Sequence, residues 1–254
     1  MDQELNRGYT FLNEQYWYAS TFLKTYLPYD DYENIRFLDI GSGEGGCLKF
    51  FNEKGAVCYG IEISKEGIQF AIANNRKEIH FILGDICDCV LIHQLPRMHI
   101  IIVRDVIEHI HQKKLALQNI KKLLKKEGVC FIAYPPKYSP YGGHQQNIKN
   151  SFTRLPYIHL FPEFIYSKIL KWTGVEPFQI NSLLETHKNM ISLKKIERMF
   201  SQIGFEILKK DMYFIRPSFE KRYGIKPRKT IFNRIPVIKE FCTLGALYLL
   251  KKNG

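Results

Sequence analysis

The chain has 254 residues and carries 37 Lys and Arg against 25 Asp and Glu, a formal charge of +12. That surplus points to anionic partners such as phosphates, carboxylated glycans, nucleic acid or a membrane surface, and it says nothing about fold. At 45% apolar and 24% charged the composition excludes a disordered tail and suits one large domain, or one domain with a substantial insertion.

Six scattered cysteines without a Cys-x-x-Cys pair argue against a disulfide framework or a paired zinc site. The start, Met1-Asp2-Gln3-Glu4, has no secretory pattern, and the longest uncharged apolar run, Phe241 to Leu250, is too short to cross a bilayer. A cytoplasmic enzyme is expected.

Residues 1–34 are rich in aromatics, and Tyr9, Leu12, Tyr16, Ala19 and Leu23 recur at helical spacing. A helix that packs one face on the core is expected there, or more specifically a lid over the crevice. From 35 to 135 strand and helix patterns alternate. Strands are expected at 35–40, 56–62, 79–84, 98–104 and 128–134, with helices at about 44–54, 64–75 and 111–126. Short loops cannot return a chain to parallel register, so such alternation predicts a parallel sheet with crossover helices. Its ligand crevice lies at the carboxyl ends of the strands.

The first strand runs into Gly41-Ser42-Gly43-Glu44-Gly45-Gly46. Glycine there permits positive φ and lets a ligand lie against the main chain. The spacing is not that of the dinucleotide fingerprint, which places its third glycine one residue later. The second strand ends in Glu62, where a doubly wound fold places a carboxylate that accepts from a ribose.

Pro135-Pro136 stops the fifth strand, and residues 135–191 break the alternation. Short helices are expected at Tyr157–Leu170 and Asn181–Asn189 within this insertion, the candidate substrate cap. A helix from Ser192 to Gln202 and two strands, at about 205–215 and 238–250, complete the chain. Between those strands, residues 217–235 carry Lys221, Arg222, Lys226, Arg228, Lys229 and Arg234.

Phe37 to Gly46, Glu62, Gly84-Asp85-Ile86 and Arg104-Asp105-Val106-Ile107-Glu108-His109-Ile110, in that order and at those intervals, resemble the class I S-adenosylmethionine-dependent methyltransferases. The last segment resembles the ubiquinone-type O-methyltransferase branch. The resemblance covers roughly residues 35–135. It implies a Rossmann-like, doubly wound, seven-stranded and mostly parallel α/β sheet, with a helical cap at 135–191, a domain over 35–254 and an aromatic lid over 1–34. It also implies S-adenosylmethionine as cofactor. Asp39, Gly41, Ser42 and Gly43 would face the methionine part, Glu62 and Ile63 the ribose, and Asp85 and Ile86 the adenine, with Arg104 beside them. Trp17-Tyr18 resembles an aromatic pair of small-molecule methyltransferases, although Ser20-Thr21 stand where those often carry arginines.

Asp105, Glu108 and His109 lie at i, i+3 and i+4, one face of a helix, and oxygen with imidazole suits magnesium, manganese or zinc. By resemblance, these residues with a distant histidine, His144, would hold a divalent metal. The shorter Asp105 departs from the usual glutamate, and the preferred reading has Glu108 and His109 orient the loop and the helix start. Without a metal, His144 is the best general base, on a glycine-flanked loop near the crevice beside Asp105.

Two functions follow. One is O-methylation of a small-molecule or glycan hydroxyl, on an acceptor that the basic charge allows to be anionic. The other is an RNA-directed methyltransferase, or an RNA-binding methyltransferase-like module without catalysis.

Overall fold

A computed structural model describes residues 2–148, 152–232 and 235–253. Arg234 of the basic segment lies outside them. Eight strands form one sheet: β1 Arg36–Ile40, β2 Val57–Glu62, β3 His80–Leu83, β4 Met98–Arg104, β5 Leu124–Tyr134, β6 Phe205–Ile215, β7 Arg228–Lys229 and β8 Gly245–Lys252. Their order is β3-β2-β1-β4-β5-β8-β6-β7. The first five are parallel, and β8 enters antiparallel between β5 and β6. The seven-stranded expectation therefore holds with one addition, the two-residue edge strand β7.

Side chains alternate across the sheet as the pleat requires, and both faces are covered. Leu38, Ile40, Ile101, Val103, Cys130 and Ile132 face one core. Phe37, Ile100, Ile102, Val129, Phe131 and Ala133 face the other, where they meet Tyr18, Leu23 and Tyr26 of the amino-terminal helical segment. Burial on two faces explains why these strands read as continuous apolar runs. By the same alternation Asp39 and Arg104 fall on the side of the amino-terminal helix.

Helix Lys65–Asn74 begins where Ser64 Oγ accepts from the Gly67 amide at 3.0 Å, as an N-cap should. Helix Leu193–Ile203 is capped by Ser192 and stopped by Gly204 at φ +85°, so its expected bounds hold. The starts of β5 and of the last strand differ from the sequence reading. β5 begins at Leu124, not near 128, because the turn at the end of helix Lys113–Leu123 is itself extended. Residues Pro236–Cys242 are helical, with Pro236 in the first turn, and the last strand starts only at Gly245. Helix Cys89–Gln94, capped by Asp88, and helix Ser218–Tyr223 carry too few residues to show a period in sequence.

The segment after β5 has a small core of its own, built on Ile158, Tyr166, Leu170, Val175, Ile180 and Leu183. Its helices are Glu163–Trp172 and Pro177–Asn189, each shifted by a few residues from the sequence expectation. No helix among the described residues is long and apolar enough to cross a membrane.

Helix Asp2–Tyr18 lies against helix Gly46–Asn52, where a Cβ on Gly46 would come 2.0 Å from the Leu12 carbonyl oxygen. The obstacle is backbone, so it cannot rotate away. Gly46→Ala should therefore lower unfolding stability by about 1–3 kcal/mol, the scale of an overpacked contact, measured by denaturant titration. Unchanged stability would show that the two helices are not held at this point.

Candidate active site

The crevice begins at the glycine turn. Gly41 donates to Ile61 O at 2.8 Å and Gly45 to Ser42 O at 2.9 Å, and Gly41 stands at φ +72°. A Cβ on Gly41 would also lie 2.2 Å from the Val106 side chain, so conformation and space both demand glycine. Gly43 N donates to Glu62 Oε2 and Ser64 N to Glu62 Oε1, each at 2.8 Å. Both carboxylate oxygens are thus fixed by backbone donors while each keeps a lone pair for a ligand.

A cleft of about 600 Å³ opens above these strand ends. Gly41, Glu62, Ile63, Asp85, Ile86, Arg104 and Asp105 all line it. Ile63 is 74% exposed beside Glu62, an apolar side chain with room for a flat ligand face. Asp39, Ser42 and Gly43 adjoin this lining without being part of it. Asp39 and Ser42 are buried, and burial pushes the Asp39 carboxyl up to about 7, with Arg104 pulling it down and Glu62 adding to the rise.

Arg104 lies 4.5 Å from the ring centre of Tyr18, a cation held on an aromatic face. Asp105 takes φ +56° and its carboxylate accepts from Arg216, just past the end of β6. Burial opposes ionisation of Asp105, but Arg216 and then Arg104 outweigh it and hold its pKa below the usual carboxylate value. Arg216 was not picked out in the sequence. The available signal was an arginine directly before the strand-ending Pro217.

Glu108, His109 and His144 offer one ligand atom each within 4.8 Å of one another. Asp105 is not among them, and its carboxylate is engaged by Arg216. Glu108 is fully buried, and neither of its oxygens has a hydrogen-bond partner. His144 Nε2 stands 3.4 Å from Glu108 Oε1, and the His109 and His144 ring centres are 5.0 Å apart. His144 sits at φ +58° on the turn between Gly143 and Gln145.

A second pocket of about 360 Å³ adjoins this cluster. His109, His144 and Ile148 form one side, and Gln179, Ser182 and Leu183 of helix Pro177–Asn189 the other. His109 lines both the cleft and this pocket. Of the other histidines in the insertion, His159 is buried with Nε2 2.9 Å from Lys137 O, and His187 Nε2 lies 3.2 Å from Phe161 O. Both belong to the scaffold of the insertion.

The family described as "Methyltransferase domain" matches residues 13–210. The ubiquinone biosynthesis O-methyltransferase of Pelagibacter ubique (strain HTCC1062) is 27% identical over 176 residues, covering 66% of this chain and 65% of that protein, so the match spans less than two thirds of the relative. The fold is shared with an S-adenosylmethionine-dependent methyltransferase from Mesorhizobium loti (TM-score 0.59, 12% identity, 95% of this chain and 100% of that one). A second such protein, from Thermotoga maritima, superposes with TM-score 0.57 at 15% identity, over 100% of this chain and 96% of that one.

The raised carboxyl of Asp39 has a consequence for stability. Between the ordinary 3.8 and about 7 the folded chain holds a proton that the unfolded chain releases, so this group makes stability fall as pH rises through that window and level off above it. His159, whose pKa burial lowers from 6.5 to about 4, has the opposite slope over the overlapping range. The difference between wild type and Asp39→Asn therefore isolates Asp39. Denaturant titrations from pH 4 to 8 should show the variant gaining relative to wild type as pH rises; parallel profiles would mean that Asp39 titrates normally.

Proposed function

From the premise that this chain belongs to the methyltransferase-domain family, among the class I S-adenosylmethionine-dependent methyltransferases, we propose that it methylates a hydroxyl oxygen of a small-molecule or glycan acceptor. The observation that carries the reading is the histidine-carboxylate cluster of Glu108, His109 and His144, set where the cleft meets the second pocket. The Pelagibacter relative is named an O-methyltransferase, which supports oxygen as the acceptor atom.

The residues present fit the cofactor. Glu62, its oxygens fixed by the amides of Gly43 and Ser64, would accept from the ribose hydroxyls. Ile63 and Ile86 would bracket the adenine, with Asp85 at its edge, and the turn from Gly41 to Gly43 would carry the methionine part. When bound, S-adenosylmethionine supplies a methyl group on a sulfonium, which an acceptor oxygen attacks in line.

The acceptor would occupy the pocket between His144 and helix Pro177–Asn189, with Ile148 and Leu183 against its apolar part and Gln179 and Ser182 available to its polar groups. Residues 135–191 then act as a cap, and residues 1–34 as a lid whose Tyr18 secures Arg104. Glu108 faces His144 Nε2 at 3.4 Å, so a ring proton on that nitrogen would point towards the carboxylate and leave Nδ1 to take the acceptor's proton. The buried carboxylate would stabilise the imidazolium that results. The net charge of +12 favours an acceptor that carries acidic groups.

A second reading rests on the two buried, unpartnered oxygens of Glu108. A carboxylate in that state costs several kcal/mol unless a cation meets it. One carboxylate and two imidazoles suit magnesium, manganese or zinc, and such an ion would lower the pKa of the acceptor hydroxyl. Its ligands are Glu108, His109 and His144, all of which must then remain unprotonated. The RNA reading receives no comparable support, since Arg222 and Lys229 of the basic segment are taken by Glu14 and Asp211.

The test is transfer of labelled methyl from S-adenosylmethionine to a panel of phenols, hydroxy acids and uronic-acid glycans. With the true acceptor, His144→Ala should reduce turnover about a hundredfold or more while leaving S-adenosylhomocysteine affinity unchanged. Loss of activity on chelation, restored by magnesium or manganese, selects the metal reading; indifference to chelation selects the base. Wild-type turnover in the alanine variant would remove His144 from the chemistry.

A further inference from the structure

At the end of the sheet opposite the crevice, the amino ends of β1, β4 and β5 border another cleft, of about 620 Å³. Its cations come from four places in the chain. Arg36 opens β1, Arg97 precedes β4, Lys125 and Lys126 lie at the start of β5, and Lys252 ends β8. Among the residues that line it Glu127 is the one carboxylate, and Lys251 already binds its Oε2 at 2.6 Å. The Lys252 ammonium donates to the Leu124 carbonyl at 2.6 Å and meets no acid there. Partial burial, followed by the nearby Arg97 and Lys121, pushes its pKa down. Lys121 and Lys122 continue the basic surface on the far side of Lys252.

The floor of the cleft holds a more specific sign. His99 Nδ1 accepts from the Arg36 backbone amide at 2.9 Å. A backbone N–H can only donate, so the ring proton must sit on Nε2. Lys125 Nζ approaches that same nitrogen to 2.7 Å. Two donors therefore face each other with no acceptor between them, in a cleft whose one lining carboxylate, Glu127, is already shared with Lys251. An anionic oxygen placed over this pair would accept from both. Two guanidiniums nearby, from Arg36 and Arg97, have the forked geometry that holds phosphate.

We propose that this cleft is a binding site for a compact oligophosphate group, of the size of a pyrophosphate or a triphosphate. Arg36, Arg97, Lys125, Lys126 and Lys252 converge on this one cleft, a density of charge that favours a short, highly charged ligand over an extended nucleic-acid strand. None of these residues lines the crevice or the acceptor pocket, so the site stands apart from methyl transfer and does not depend on the acceptor assigned above.

The probe is sodium tripolyphosphate, titrated into the full chain by calorimetry and by thermal unfolding, with sodium chloride at matched ionic strength as the control. We expect saturable binding of one tripolyphosphate per chain and a rise in Tm that chloride does not reproduce. The triple variant Arg36→Gln, Arg97→Gln, Lys125→Gln should lose about tenfold or more of that affinity, the scale of removing charge-assisted hydrogen bonds. Its S-adenosylhomocysteine affinity should equal that of wild type, which shows that the fold survived. Equal tripolyphosphate affinity in variant and wild type, or an identical Tm rise with chloride, overturns the proposal. Affinity for single-stranded oligonucleotides that exceeds that for tripolyphosphate and grows with strand length overturns it too, in favour of an extended nucleic-acid surface.

Discussion

The arrangement of charge at the carboxyl ends of the strands depends on one contact, the ion pair between Asp105 and Arg216. Asp105 ends the strand at the centre of the sheet with a left-handed backbone, and its partner is 111 residues away in sequence. β8 and β5 lie between β6 and β4, so Arg216 has to reach over both. Gly245, the first residue of β8, makes that route passable: a Cβ there would stand 2.8 Å from the Arg216 side chain. The antiparallel return of β8 is thus what lets an arginine from the last long hairpin fix the loop after β4. Breaking a part-buried pair of this kind strands the remaining charge, which costs more than the pair itself contributes.

That contact also divides the chemistry. Asp105 is committed to Arg216 and Arg104 is held by Tyr18, so both charged residues at the end of β4 are engaged before any ligand arrives. Glu108 is different, because it is buried three residues further on, beside His144 and His109, and neither of its oxygens has a hydrogen-bond partner. The same short segment therefore holds one carboxylate paired with an arginine at the cleft and another without a hydrogen-bond partner beside the second pocket. His109, which borders both spaces, marks the point where they meet.

Much of this was legible in sequence where the cause is local. Burial of the sheet on two faces writes continuous apolar strands, and the turn after β1 admits only glycine at Gly41, so the parallel half of the fold and the Glu62 position could be read directly. His144 could be nominated from its loop, because the crevice of such a sheet is always at the strand ends. What could not be read has non-local causes. Arg216 finds Asp105 only through the order in which β8 enters the sheet. The helix Pro236–Cys242 looks extended in sequence because Val237 and Ile238 are β-prone, and its start depends on Pro236 in the first turn. The basic cleft around His99 collects residues from four separated places, each unremarkable by itself, while the more conspicuous basic run at 217–235 spends two of its cations on Glu14 and Asp211.

The central claim is that the strand-end crevice is a cofactor site organised by Glu62, and equilibrium binding of S-adenosylhomocysteine to wild type and Glu62→Gln tests it most directly. The account predicts saturable binding of one molecule per chain, with about ten- to a hundredfold weaker binding in the variant, as removal of the charged acceptor of two ribose hydroxyls requires. The variant should unfold with wild-type cooperativity. Equal affinity in the two proteins, or no saturable binding in wild type, would contradict it.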